Sequence, residues 1–492
     1  MILSKIKCPY SLRFLSGIAS ICLLAFLLSA PVLNGADLVW ANPGTSGVFE
    51  TDTNWNPAQV PVNSADTIFL GTGVYTVTKT STFSAIEMTI EADVLLENQG
   101  GKLGWKEVNA DAYSNAGTIH FTTADAQWDL HGAKTQHTVF NSGLIQADGI
   151  ELEISGRSVT VDNTGGTIEA MNSGTLNQGN TSIKIKGGTY QSDATSNIIN
   201  DGSNRTFTME GVTIVNDGYN KIVENTGGES GNIQKTGYAI TTGGSFNNSG
   251  TVLIENRAIG DRRSEARVEL SSDSTFSNTG TITIDLVTTR DNAYAQVETN
   301  SNTLNEGIIN VVHTGASVVG ANHIYDSEAR FLVSGADFTQ TGAGSAVNLV
   351  NGGKLIANNV LITEGALTGN GIVSGITNIG SLASVSPGAS IGVLEFDSNL
   401  TLAGAYHIEV DSFLDTSDLL TSSGAMFFDD AVFDVSVLDI QNGSHSFLVA
   451  SAVGGITGTL SILSSYDTSY ELMNSNRDLM LTVTIPEPGT IS

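Results

Sequence analysis

The sequence predicts an all-β protein: a right-handed parallel β-helix, or β-solenoid, with a C-terminal β-rich cap or domain. Three observations carry this: a recurring corner phrase, the spacing between its copies, and strict alternation of apolar and polar residues in between. The phrase is Asn, any residue, Gly, then an apolar or β-branched pair. It stands at Asn115-Ala116-Gly117-Thr118-Ile119, Asn141-Ser142-Gly143-Leu144-Ile145, Asn248-Ser249-Gly250-Thr251-Val252, Asn278-Thr279-Gly280-Thr281-Ile282, Asn305-Glu306-Gly307-Ile308-Ile309 and Asn378-Ile379-Gly380-Ser381-Leu382. Asn and Gly tolerate the positive φ of a sharp corner, and Thr, Val and Ile suit a pleated, half-buried surface. Each phrase therefore reads as one corner followed by a strand.

Spacing selects the architecture. Asn115, Asn141 and Asn163 are 26 and 22 residues apart, and Asn248, Asn278 and Asn305 are 30 and 27 apart. Antiparallel hairpins turn about every 8 to 12 residues, whereas one coil of a solenoid takes roughly 20 to 30. A sandwich with unmarked turns between the phrases is the rival. Between corners, Val74-Tyr75-Thr76-Val77-Thr78, Ile150-Glu151-Leu152-Glu153-Ile154, Thr206-Phe207-Thr208-Met209 and Thr281-Ile282-Thr283-Ile284-Asp285 alternate with period two. Such strands present one apolar face to an interior and one polar face to water.

Composition agrees. The chain has 492 residues, 54 of them Gly and 8 Pro, and charged residues make up 14%. That mixture suits one long solenoid better than several globular domains. Beyond the N-terminus no stretch has convincing helical periodicity. Residues 1–36 have the layout of a signal peptide: Lys5, Lys7 and Arg13, then the apolar run Phe14 to Leu28, then small residues with cleavage expected between Ser29 and Ala36. Cys8 and Cys22 both fall inside it, so stability of the exported chain is expected from stacked ladders rather than disulfides. Cleavage removes three positive charges and no acidic one, taking the formal charge from −29 to −32. That acidity excludes nucleic acid and anionic membrane surfaces as partners, which need a positive field. The Gly-Gly-x-Gly-x-Asp repeat of a calcium β-roll is absent.

Few residues suggest chemistry. Gly388-Ala389-Ser390-Ile391-Gly392 matches Gly-x-Ser-x-Gly by letter, but Val393-Leu394-Glu395-Phe396 continues as a strand where a nucleophile elbow needs a helix. His120, His131, His137, His313, His323, His407 and His445 form no i, i+4 pair, and read as exposed or edge polar residues. Asp429-Asp430 lies beside Met426-Phe427-Phe428; adjacent strand residues face opposite ways, so the pair reads as loop aspartates unless a bulge turns both outward. Arg257, Arg262, Arg263 and Arg267 are interleaved with Glu255, Asp261, Glu265 and Glu269, so their field nearly cancels and the stretch reads as a solvated insertion between two coils. No catalytic residue, cofactor or metal site is assigned.

Trp40 to Leu70, with Asp52-Thr53-Asn54-Trp55-Asn56-Pro57, Val60-Pro61 and Asp66-Thr67-Ile68-Phe69-Leu70, resembles the opening of bacterial autotransporter-like β-helix passengers. The resemblance implies that Trp40 and Trp55 cap the tube. Gly365-Ala366-Leu367-Thr368-Gly369-Asn370-Gly371, Asn378-Ile379-Gly380 and Ser386-Pro387-Gly388-Ala389-Ser390-Ile391-Gly392 are similar to the last coils of the same family. Ile485-Pro486-Glu487-Pro488-Gly489-Thr490 is similar to the start of the PEP-CTERM sorting signal of exported bacterial proteins, which makes Pro486, Glu487 and Pro488 a candidate sorting motif. In that family a membrane-spanning helix and a basic cluster follow; here the sequence stops at Ser492, which reads as a truncated or a released chain.

The expected organisation is a signal peptide over 1–36, an N-terminal cap over 37–70, parallel β-helix repeats over 71–400, a C-terminal β-rich region over 401–484 and a disordered tail over 485–492. The expected function is that of an exported, non-catalytic structural or adhesive protein of the bacterial cell surface or extracellular matrix. Its partners would be extracellular polysaccharide or other surface proteins, together with export and sorting machinery, and the mature chain as given has no membrane span. The alternative is a secreted polysaccharide lyase or glycosidase on the same scaffold.

Overall fold

A strand whose every second residue is apolar must hide one face, and here each hides it by stacking on a near copy of itself. The computed structural model describes residues 36–487 apart from 62–65, 85–86, 105–111, 123–126, 130–136, 149, 172–180, 202–204, 225–233, 242–243, 258–263, 272–273, 289–292 and 315–326. The expected signal peptide and its two cysteines thus lie outside the described residues. Within them the protein is all-β, and the stacking is consistent with a β-solenoid.

Three columns of strands run along the stack. Ser245–Asn248, Thr275–Asn278, Thr303–Asn305 and Phe338–Gln340 pair in parallel, each with the next. So do Thr251–Asn256, Thr281–Leu286, Ile308–Val312 and Ala346–Val350. The third column holds Ser264–Leu270, Ala293–Thr299, Glu328–Val333 and the start of Lys354–Gly369. One member of each column makes a tier, and each Asn-x-Gly corner joins the first column to the second. Among the described residues, antiparallel pairing is confined to Trp40 with Trp55 near the start, the hairpin Val410 to Ser417, an isolated bridge between Gly369 and Gly388, and the final hairpins.

Register turns the alternation into a continuous core. Ile119, Ile145, Ile168 and Ile198 lie above one another, all fully buried. Val252, Ile282, Ile309 and Val347 extend the same position. Burying each such side chain contributes about 1.5–3 kcal/mol. Thr281, Thr283 and Asp285 point outward as expected. The side chains of Thr206 to Met209 lie outside those described.

Two expectations about the corner phrase need correcting. Gly143, Gly250, Gly280 and Gly307 do not adopt positive φ. Their reason is room: a Cβ on Gly280 would lie within 3.0 Å of the carbonyl oxygen of Gly250 and of Ser249 backbone atoms. Tiers approach so closely at the corner that only a hydrogen fits. The second correction is Asn378, which sits inside the strand Ile372–Pro387 with its side chain exposed, rather than at a corner.

The rhythm stops near residue 380 but parallel stacking does not. Leu400–Leu402 pairs with Met426–Val437, which pairs with Ile456–Ser464. The chain then closes with Asp478–Ile485 antiparallel between Gly443–Ala452 and Asp467–Met473. At the other end, Trp40 and Trp55 are buried, edge to face at 5.2 Å, and Trp40 stacks on Tyr75 at 6.1 Å. The indole of Trp55 donates to the Phe49 carbonyl at 2.8 Å, satisfying its one polar atom.

Candidate functional site

The most heavily charged face lies on the third column. Ala266, Val268 and Leu270, then Ala295 and Val297, then Ala329, Phe331 and Val333 turn inward. Period two then places Glu265, Arg267 and Glu269 outward, with Tyr294, Gln296 and Glu298 on the next tier, Glu328 and Arg330 on the third, and Lys354 on the fourth. Their charges interlock. Arg267 pairs with Glu269 and, at 3.5 Å, with Glu265. Arg330 donates to Gln296 at 2.7 Å and to Glu328 at 3.0 Å, and lies over the Tyr294 ring at 5.2 Å. Lys354 Nζ reaches the other oxygen of Glu328 at 2.7 Å. Beside this face Arg257 clasps Glu255 with both ends of its guanidinium, at 2.5 and 2.7 Å.

This corrects the solvated insertion expected at the Arg-rich stretch. Ser264–Leu270 is a regular strand, Glu265 and Glu255 are buried, and Arg267 is only 22% exposed. Arg262, Arg263 and Asp261 lie outside the described residues. Partly sheltered pairs of this kind are screened less by water than ordinary surface pairs. An acidic sugar seeking Arg330 or Lys354 must displace Glu328, and one seeking Arg267 must displace Glu265 and Glu269. The face therefore has the chemistry of a clip between tiers, with a polar aromatic rim at Tyr294.

Other sequence-predicted groups are dispersed. Ser390 is exposed in the turn between Ile372–Pro387 and Val393–Phe396, with a strand after it. Asp429 and Asp430 are not in a loop: both are exposed on the strand Met426–Val437, turned outward together by a bulge in which Asp430 takes φ 56°. Thr459 donates to Asp430 at 2.5 Å. His407 Nδ1 lies 3.0 Å from Asp434 and both are exposed. His445 is not exposed but partly buried: its side chain is 12% exposed, held between Asp415 at 3.2 Å and the Gln441 carbonyl at 3.1 Å. His313 is half-buried, and burial pushes its imidazole below the ordinary value against the pull of Asp285. His131 and His323 lie outside the described residues. Pro486 and Glu487 follow the last strand directly, and Pro488 lies outside the described residues. Among the described residues no group of three or more His, Cys, Asp or Glu is arranged to hold a metal ion, and no helix is long and apolar enough to cross a membrane.

Sequence reasoning missed several polar residues that the fold buries. Asn216, in Asn216-Asp217-Gly218-Tyr219, joins the corner asparagines although Tyr219-Asn220 breaks the apolar pair of the phrase. Gln340 takes the same place without the phrase at all. Lys79 is fully buried on the inward side of Tyr75–Lys79, where the alternation of Tyr75 and Val77 already pointed.

No protein-family profile matches this chain, and no curated protein sequence matches it.

Proposed function

We propose that this chain is an exported, non-catalytic structural or adhesive protein of the bacterial cell surface or extracellular matrix, built on a right-handed parallel β-helix. One observation carries the reading: buried polar groups are spent on joining tier to tier. Corner asparagines bond to one another from Asn115 to Asn163 and from Asn216 to Gln340, and the charged face on the third column is paired internally. A surface so committed to its own stacking supplies length, repetition and durability, which are the properties of a scaffold or adhesin. The signal-like N-terminus and the motif Pro486, Glu487 and Pro488 support export, and the acidic surface favours solubility over nucleic acid or anionic membranes. Polysaccharide or other surface proteins are the partners this reading implies.

Cell fractionation tests it. The protein should appear in the surface or matrix fraction, lacking its first residues. Recovery of the folded protein from the cytoplasm alone would refute export. Incubation with acidic and neutral polysaccharides should release neither reducing ends nor unsaturated products. Turnover abolished by a carboxylate substitution would establish the enzymatic alternative instead.

A further inference from the structure

Lys79 is an unusual side chain to enclose. It ends the strand Tyr75–Lys79, points inward with Tyr75 and Val77, and is 0% exposed. Directly above it in register, on Val94–Asn98, stands Asn98, also 0% exposed. Nζ lies 3.2 Å from Asn98 Oδ1 and 2.8 Å from the Gly100 carbonyl, over the Phe83 ring at 5.5 Å. The Asn98 amide is held in place, accepting from Gly100 N at 3.3 Å and donating to the Gly101 carbonyl at 3.4 Å.

Glu50 is a charged neighbour of Lys79 that makes no hydrogen bond or ion pair with it. Glu50 Oε1 accepts from Thr80 N at 2.7 Å, Ser81 N at 2.6 Å and Ser81 Oγ at 2.8 Å, whereas its Oε2 is closed off from solvent without a hydrogen-bond partner. Burial raises the Glu50 carboxyl, but these bonds outweigh it and hold the group below the ordinary value, ionised at neutral pH. Burial pushes the Lys79 ammonium down to about 8, against the attraction of Glu50. On the order of a tenth of the amine is then neutral at pH 7. A neutral amine held against a fixed carboxamide, both closed off from water, supplies the ingredients of amide exchange, which proximity accelerates strongly.

We propose that Lys79 and Asn98 are a modification site at which the protein forms an intramolecular isopeptide bond linking its first tiers. Nζ, having released one proton to solvent water, attacks Cγ of Asn98. The Nζ–Cγ bond forms, the Cγ–Nδ2 bond breaks, and Nδ2 leaves as ammonia with a second proton from Nζ. The ammonia then takes up a proton from water. Nothing is oxidised or reduced, and no co-reactant is needed. The bond lies where it matters physically, because a tier near the end of a stack has few neighbours and frays first. It also supplies covalent bracing in a chain whose two cysteines both lie in the expected signal peptide.

Mass spectrometry of the full-length folded protein decides the matter. Cleavage after glutamates, at Glu50, Glu87 and Glu97 among others, separates the fragment holding Lys79 from the one beginning at Asn98. The expected result is a single branched species joining the two fragments, lighter than their sum by one ammonia. In Asn98→Ala the fragments should be separate. Recovery of the two native fragments unlinked and at full mass would overturn the proposal. So would an ammonia loss that persists in Asn98→Ala, since dehydration to a succinimide elsewhere gives the same mass change. Should that variant fail to fold, the branched fragment of the native protein settles the question alone.

Discussion

Asn248 Nδ2 donates to Asn278 Oδ1 at 2.7 Å, joining two tiers through side chains that are both buried. Asn278 passes the bond on to Asn305 at 2.8 Å and gives its second hydrogen to the Gly280 carbonyl at 3.3 Å. The run is directional, and is bridged midway: Asn163 donates to the Tyr190 hydroxyl at 3.1 Å and Ser192 donates to Asn216 at 3.1 Å. Asn278→Ala leaves a donor of Asn248 and an acceptor of Asn305 unmatched in the interior. The expected loss is about 2–4 kcal/mol, read as a lower urea midpoint and as faster amide exchange in the two flanking tiers. Exchange unchanged at those tiers would show the bond to be dispensable.

Gly280→Ala should be worse than its single methyl suggests. The added Cβ meets backbone of the tier below, which moves only by parting the ladder, so a cost of roughly 2–4 kcal/mol is expected. Gly344 has open space around its Cβ position and no positive φ, and Gly344→Ala should stay within about 0.5 kcal/mol of the parent. Thermal unfolding of the pair distinguishes close approach from a general need for glycine.

Asn220 breaks the inward column between Ile198 and Val252; it is 2% exposed, and its Nδ2 has no hydrogen-bond partner. Asn220→Val replaces a stranded donor by the residue type its neighbours use. Stability should rise by about 1–3 kcal/mol, measured as a higher urea midpoint at unchanged slope.

Asp418 is fully buried, and burial, with the Glu409 carboxylate adding to it, pushes its carboxyl up to about 7 although Glu409 N and Gly392 N both donate to it at 2.8 Å. A folded value above the unfolded 3.8 means that the folded state holds the proton more tightly. Its stabilising contribution is complete below about 4 and is lost as pH rises through about 7. The difference in stability between the parent and Asp418→Asn should therefore change over that window and level off above it. A difference that is flat from pH 4 to 8 would contradict the assignment.

The corner phrase and the alternation made the stacking, the inward residues and the neighbourhood of Asn115, Asn141, Asn248, Asn278 and Asn305 legible, because period and turn chemistry are local. What was not legible depends on the tier above or below. Gly280 reads as a turn residue until the Gly250 carbonyl is seen beneath it. Glu265 and Arg267 read as solvated charges until Ser264–Leu270 is found paired with Ala293–Thr299. Asp429 and Asp430 share a face only because one extra residue bulges the strand against Thr459.

By itself the sequence determined that this chain is a stack of short β-strands turning at asparagine and glycine, since alternation and corner spacing are properties of one tier. Only the tertiary structure decided which side chains meet between tiers: Asn248 with Asn278, Lys354 with Glu328, Lys79 with Asn98. Those partners are 19 to 30 residues apart along the chain, and register, set by the whole stack closing on its apolar column, brings them together.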